Sequence, residues 1–332
     1  MNSDRHPEKM RVAVTGATGF VGNAVTRQLF NRGFSPVCIL RSSSEVLSSE
    51  YTSYKCGDMG PDTDFRSVLH NVHMLVHCAA RVHVMDDAAL DPLSEFRHTN
   101  VDATLNLARQ CAEMGVKRFI FISSIKVNGE STFLGRPFHA DDVPAPIDFY
   151  GISKREAEDG LLSIAAETGM EVVIIRPVLV YGSGVKANFL SMMRWLDRGV
   201  FLPLGAIHNK RSFVSVVNLC DFICVCLTHP AAANQKFLVS DGEDLSTTEL
   251  LNKMGDALDR KAKLFRVPTK LLVLILSPLG FGAQLQRLCG NLQVDIRKNK
   301  DLLHWVPPQS VEQGLMGAAK YYSENKLSLI HI

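Results

Sequence analysis

Short runs of β-branched and aliphatic residues alternate with longer amphipathic stretches through the first 180 residues. A parallel strand covered on both faces reads as a continuous apolar run, whereas a helix packed on one side repeats every 3.6 residues. The pattern predicts strands at Met10–Thr15, Pro36–Leu40, Tyr54–Cys56, His73–Cys78, Arg118–Ile122 and Val172–Arg176. Between them it predicts helices at Gly19–Asn31, Phe65–His70, Pro92–Met114 and Asp148–Thr168, with Gly33, Gly115 and Gly169 as stop signals. Strand–helix–strand units cross over right-handed, so the expected class is α/β, a doubly wound parallel sheet over residues 10–180.

After Tyr181 the pattern changes. Helices are expected at Ala187–Arg198, Val217–Thr228, Ser246–Leu258 and Ser310–Ser323, with strands at Ser212–Val214 and Lys236–Val239. Ser246 and Glu249 have capping-box spacing. These pieces are too short and irregular to extend the parallel sheet alone. Most are assigned to a smaller mixed α/β lobe over residues 181–325 that closes over a substrate, with some segments returning to the first domain. Leu271–Leu276, continuing through Pro278 to Phe281, is strongly apolar but too short and broken to span a bilayer. A core or substrate-lobe helix is the first expectation for it; peripheral membrane or dimer contact is the alternative.

The chain has 332 residues, 21% of them charged, and a net charge of only +2, which gives no electrostatic reason to expect a nucleic-acid partner. Its eight cysteines are scattered without a C-x-x-C pair, so they read as reduced apolar fillers. No His or carboxylate recurs with ligand spacing, and no metal is expected. Met1–Lys9 is polar and lacks the apolar stretch of a secretory signal, which points to a cytoplasmic protein.

Gly16-Ala17-Thr18-Gly19-Phe20-Val21-Gly22 follows an apolar strand and opens an amphipathic helix. In that context Gly16 permits a tight turn, Gly19 lets backbone approach a pyrophosphate, and Gly22 allows close helix–strand packing. The sheet is therefore expected to be of the Rossmann type. The end of the second strand decides which dinucleotide binds. A carboxylate there suits an NAD ribose, but this chain has Arg41-Ser42-Ser43-Ser44, which suits a 2′-phosphate. NADP(H) is favoured, with NAD(H) as the alternative. Asp58, followed by Met59, is placed for the adenine amino group, and Cys78-Ala79-Ala80 for the adenine ribose.

Tyr150 and Lys154 lie four residues apart, hence on one helix face. A neighbouring ammonium stabilises phenolate and moves the tyrosine towards proton transfer near neutral pH. Ser124, at the end of the fifth strand, supplies a hydroxyl to bridge Tyr150 and a substrate oxygen.

Together these motifs resemble the extended short-chain dehydrogenases/reductases of the NAD-dependent epimerase/dehydratase family, over about Met10–Tyr322. The resemblance extends to Asn100, to Arg176-Pro177…Val180-Tyr181-Gly182 and to Leu303-His304-Trp305-Val306-Pro307. It implies a nucleotide-sugar enzyme in which Ser124 and Tyr150 contact the reacting oxygen and Lys154 holds the nicotinamide ribose. Pro177, Val178 and Leu179 would flank the nicotinamide, and Asn100 would brace backbone. It further implies that Arg211 and Asn188 contact a sugar-nucleotide diphosphate, with Arg287 as a second phosphate contact. Lys126 and His83 are placed to reach the substrate. Ser124-Ile125-Lys126 lacks the Asp-Glu pair of a dehydratase. Two chemistries remain at C4 of a UDP-hexose. The first expectation is reduction of UDP-4-keto-6-deoxy-N-acetylglucosamine to UDP-N-acetylquinovosamine for surface polysaccharide; the alternative is 4-epimerisation with bound NAD. A catalytically silent cofactor-binding protein is the remote third. The family also implies a homodimer through the helices at Pro92–Met114 and Asp148–Thr168.

Overall fold

The computed structural model describes residues 9–42, 49–82 and 91–326. The chain runs β1 (Arg11–Thr15), α1 (Phe20–Asn31), β2 (Ser35–Leu40), β3 (Thr52–Lys55), α2 (Arg66–Leu69), β4 (Met74–His77), α3 (Pro92–Arg97), α4 (Ala103–Glu113), β5 (Arg118–Ile122), α5 (Phe149–Thr168) and β6 (Glu171–Pro177). It continues with β7 (Leu179–Tyr181), α6 (Ala187–Asp197), β8 (Arg211–Ser215), α7 (Val216–Thr228), β9 (Lys236–Val239), β10 (Asp244–Leu245), α8 (Thr247–Ala257), α9 (Thr269–Leu276), α10 (Gly282–Cys289), α11 (Arg297–Leu303) and α12 (Val311–Glu324).

Seven strands form one sheet in the order β3-β2-β1-β4-β5-β6-β9, with every pair parallel. Successive strand residues point to opposite faces, so each strand feeds two cores. Val14, Ile120 and Ile175 pack on one side with Val25 and Leu29 of α1 and Phe222 and Ile223 of α7. Ala13, Phe119 and Ile174 pack on the other with Leu69, Leu107 and Leu161 from α2, α4 and α5. Double coverage is why β1, β4 and β5 read as unbroken apolar runs. A second sheet, β10-β8-β7, joins α6, α8 and α12 around a third core that includes Phe189, Phe213, Leu251 and Leu315.

Lys236–Val239 is one of the segments that return to the first domain: as β9 it pairs with β6 and is the seventh strand of the large sheet. Phe237, Leu238 and Val239 are fully enclosed between α7 and the neighbouring elements. The expected long helix at Pro92–Met114 is present and is locally widened by a π-turn at His98–Asp102, which holds the buried Asn100. The apolar segment after Pro268 is a helix packed on the core of the smaller lobe, as expected, but only one face enters that core. Leu272 and Leu285 are buried, whereas Leu271, Val273, Leu274, Ile275 and Phe281 are exposed. It lies on the edge of the third core, and one face satisfies that core.

α5 is fastened to the sheet by a buried ion pair. Arg176 of β6 donates from Nε to Glu158 Oε1 at 2.8 Å and from NH2 to Oε2 at 2.5 Å. Ser123 donates to the same carboxylate at 2.5 Å, and Arg176 NH1 donates to Asn128 Oδ1 at 2.9 Å. Both charged side chains are essentially inaccessible to water. Removing one partner leaves the other charge buried and unpaired, which costs about 3–5 kcal/mol. Glu158→Ala and Arg176→Met should each lose stability on that scale in urea unfolding, and the Glu158→Leu/Arg176→Met double variant should lose less than either. Additive losses in the double variant would contradict this account.

Candidate functional site

The glycine turn sits where β1 and β4 end side by side. Gly16 adopts a left-handed φ of 65°, and a Cβ there would stand 2.8 Å from the backbone nitrogen of Ala79. A Cβ on Gly22 would lie 2.1 Å from the Gly16 carbonyl oxygen, so any larger residue would push α1 off the turn. Thr15 Oγ1 accepts from the Ala79 N–H at 3.2 Å, which ties the two strand ends together. Gly19 is the N-cap of α1 and offers no side-chain cap. The first N–H groups of the helix, from Phe20 and Val21 onward, therefore remain available to an anion beside the exposed Thr18. Together with the small Cys78-Ala79-Ala80 edge, this cradle fits a dinucleotide pyrophosphate.

At the neighbouring strand ends, Arg41 follows β2 and Asp58 follows β3. They face each other, Nε to Oδ1 at 3.8 Å, and both are largely exposed. The sequence reading gave them separate tasks; the structure sets a guanidinium and a carboxylate side by side there, with Met59 next to Asp58. Ser43 and Ser44 lie outside the described residues, as does His83.

The Ser124, Tyr150 and Lys154 side chains converge at the carboxyl end of β5. Asp148 caps α5 by accepting from the Gly151 N–H at 2.7 Å, which begins the helix two residues before Tyr150. Burial pushes the Tyr150 phenol well above its ordinary value, the Asp148 charge adds to this, and a hydrogen bond with Ser124 opposes it. The expected lowering by the neighbouring ammonium is therefore overturned by burial, and the hydroxyl rests as a proton donor. Lys154 is buried, donates to the Ile122 carbonyl at 2.8 Å, and has its ammonium 4.3 Å from the Phe121 ring centroid and 6.0 Å from that of Tyr150. Burial pulls it down to about 8, against the pull of Cys78 and Glu158. The Cys78 thiol is pushed up to about 12 by burial.

Beneath this group lies a support that sequence reasoning missed. His77 is held between Thr15 Oγ1 at 2.8 Å and Thr104 Oγ1 at 3.0 Å, and its ring stacks on Phe121. Burial and the nearby Lys154 lower it to about 3, so it stays neutral. Glu158, one turn beyond Lys154, was also missed, although its spacing from Tyr150 and Lys154 is the same four-residue step. Asn100 holds the Arg81 backbone through its carbonyl at 2.8 Å and its amide at 3.0 Å, and the same amide donates to Ser153 at 3.0 Å. That is a bracing arrangement. Lys126 is tied to Asp148 and, at 3.1 Å, to Glu130, so it braces the entrance to α5.

Pro177, Val178 and Leu179 carry the chain from β6 directly into β7. Across from them Arg211, at the start of β8, donates from NH1 to the Gly290 carbonyl at 3.1 Å. Burial and the nearby Arg287 charge hold Arg211 below its ordinary value. Two guanidiniums pressed towards each other form a site that an anion would stabilise. Asn188 is exposed on the first turn of α6, after Ala187 in a left-handed conformation with φ of 54°.

The profile of the NAD dependent epimerase/dehydratase family matches residues 12–240. A UDP-glucose 4-epimerase from Vibrio cholerae is 46% identical over 314 residues, 94% of this chain and 95% of the relative. An N-acetyl-alpha-D-glucosaminyl-diphospho-ditrans,octacis-undecaprenol 4-epimerase from Escherichia coli O157:H7 is 26% identical, covering 93% of this chain and 94% of the relative. The fold is shared with MoeE5 in complex with UDP-glucose and NAD, at TM-score 0.75, 22% identity and coverage of 95% and 99%. It is equally shared with a UDP-glucose 4-epimerase from Thermotoga maritima solved with UDP-glucose, at TM-score 0.75, 22% identity and coverage of 96% and 100%.

The depressed Lys154 makes a prediction about pH. Above pH 8 the folded protein releases that proton, while the unfolded chain keeps it until the ordinary 10.5. Stability rises with pH wherever the unfolded state binds more protons. Relative to Lys154→Met, the wild type should therefore gain stability between pH 8 and 10.5, by at most about 1.4 kcal/mol per pH unit. Urea midpoints at several pH values read this directly; a constant difference across the window would contradict it.

Proposed function

The chain belongs to the NAD dependent epimerase/dehydratase family, and we propose that within it the protein is a 4-epimerase of UDP-hexoses. The observation that carries this reading is the 46% identity, over nearly the full length of both chains, to a UDP-glucose 4-epimerase. Gly16–Gly22 would hold the dinucleotide, which when bound would supply reversible hydride transfer at C4 of the sugar. Ser124 and Tyr150 bind the C4 oxygen; Tyr150 moves its proton, and Lys154 orients the nicotinamide ribose and stabilises the phenolate. Arg211 and Arg287 neutralise the diphosphate, with Asn188 as a further contact, while the sugar turns over between half-reactions. A homodimer through the α4 and α5 faces and a cytoplasmic setting belong to the same reading.

A second reading, 4-keto reduction of UDP-4-keto-6-deoxy-N-acetylglucosamine with NADP(H), is favoured by one observation. The residue directly after β2 is the exposed Arg41, a guanidinium that suits a 2′-phosphate, with Asp58 beside it at 3.8 Å. One experiment separates the two. Purified protein is given UDP-glucose or UDP-N-acetylglucosamine without added cofactor, and separately the 4-keto sugar with NADPH. Galacto-configured product in the first arm supports the epimerase; product confined to the second replaces it with the reductase. In either arm Tyr150→Phe should fold, bind dinucleotide and turn over about 10²–10⁴-fold more slowly. Arg41→Asp should shift the ratio of NADP to NAD affinities at least tenfold towards NAD in fluorescence titration; an unchanged ratio would remove Arg41 from cofactor choice.

A further inference from the structure

The segment from Arg260 to Val294 is unlike the rest of the chain. It contains six arginines and lysines (Arg260, Lys261, Lys263, Arg266, Lys270 and Arg287) and no acidic residue, in a protein whose net charge is only +2. All six are exposed. The ion pair between Arg260 and Asp197, at 3.8 Å, engages one of them; among the described residues none of the other five is paired with a carboxylate. Within this basic stretch, α9 presents Leu274 at 71% exposure and Ile275 at 53%, and Phe281 follows at 48%. Phe201 and Phe265 add exposed rings beside them. Residues 201–205 and 263–265 are joined by backbone hydrogen bonds from Leu202 to Lys263, from Phe265 to Leu202 and from Gly205 to Phe265. The Lys263 ammonium lies 5.1 Å from the Phe201 ring centroid.

The element is firmly held from below. Leu272 and Leu285 are buried in the third core. Asn209 donates to the Leu288 and Gly290 carbonyls at 3.2 and 2.8 Å, and Thr247 donates to the Leu288 carbonyl at 2.5 Å. No described helix is long and apolar enough to cross a membrane.

We propose that α9 and α10 dock the protein on the surface of an anionic bilayer, with Leu274, Ile275 and Phe281 inserted and Lys261, Lys263, Arg266 and Lys270 on the headgroups. A short apolar face collared by cations and aromatics is the chemistry of an interfacial helix. The bias in charge selects a negatively charged surface over a second copy of this chain, whose matching face would bring the same six cations against their equals. The docked face continues into Arg287 and the Gly290 carbonyl that receives Arg211, so it sets the substrate pocket next to the membrane. The proposal does not depend on which C4 reaction is catalysed.

The test is co-sedimentation of the full-length protein with vesicles of phosphatidylcholine alone and with 30% phosphatidylglycerol. Binding at least tenfold tighter to the anionic vesicles, and reduced by 0.5 M salt, is the expected result. Leu274→Ser/Ile275→Ser should abolish it without loss of thermal stability, and Lys261→Ala and Lys270→Ala should each weaken it about fivefold. Equal binding to both vesicle types, or full binding by the double serine variant, overturns the proposal. So does conversion of a dimer to a monomer by the double serine variant, since a second copy would then cover the face.

Discussion

The grouping of Ser124, Tyr150 and Lys154 depends on the charge pair between Glu158 and Arg176, buried at the junction of α5, β5 and β6. Tyr150, Lys154 and Glu158 are successive steps along one face of α5, and only the last of them is bonded to the sheet through a side-chain carboxylate. An ammonium buried as deeply as Lys154 needs a fixed neighbour of opposite sign, or it gives up its proton. Glu158 supplies that charge, yet its own two oxygens are committed to Arg176 and Ser123. Burial still pulls the lysine down to about 8, while its ammonium donates to the Ile122 carbonyl. A single carboxylate thus fixes the helix in rotation and moderates the acidity of the group above it.

The neutral imidazole of His77 complements this from below. A charged histidine at that depth would repel Lys154. Two threonine hydroxyls satisfy both ring nitrogens without supplying a charge. The floor of the site is therefore polar, saturated and uncharged, and Lys154 of α5 is the cation whose charge acts on it.

Much of this was legible in the chain because the signals are local. The glycine turn, the Asp148 cap, the capping box of Ser246 and Glu249 and the four-residue step from Tyr150 to Lys154 each depend on residues a few positions apart. What escaped was decided by distant partners. β9 has only four residues, and its place beside β6 comes from α7 covering it. Nothing near Arg176 in sequence reveals that its guanidinium meets Glu158, 18 residues earlier. The apolar run in α9 looks the same whether a core or a solvent boundary receives it, since periodicity cannot separate the two when every side of a helix is apolar. Arg41 and Asp58 likewise gave two independent hints that the parallel alignment of β2 and β3 turned into one pair.

The passage from the large sheet to the small one has a mechanical consequence. β6 ends at Pro177 and β7 begins at Leu179, so the dihedral angles of Val178 alone carry the change of direction, while its N–H reaches the Val239 carbonyl at 3.4 Å. There is no slack at this joint. A change in the angle between the two sheets at this crossing has to pass through that one residue's dihedral angles.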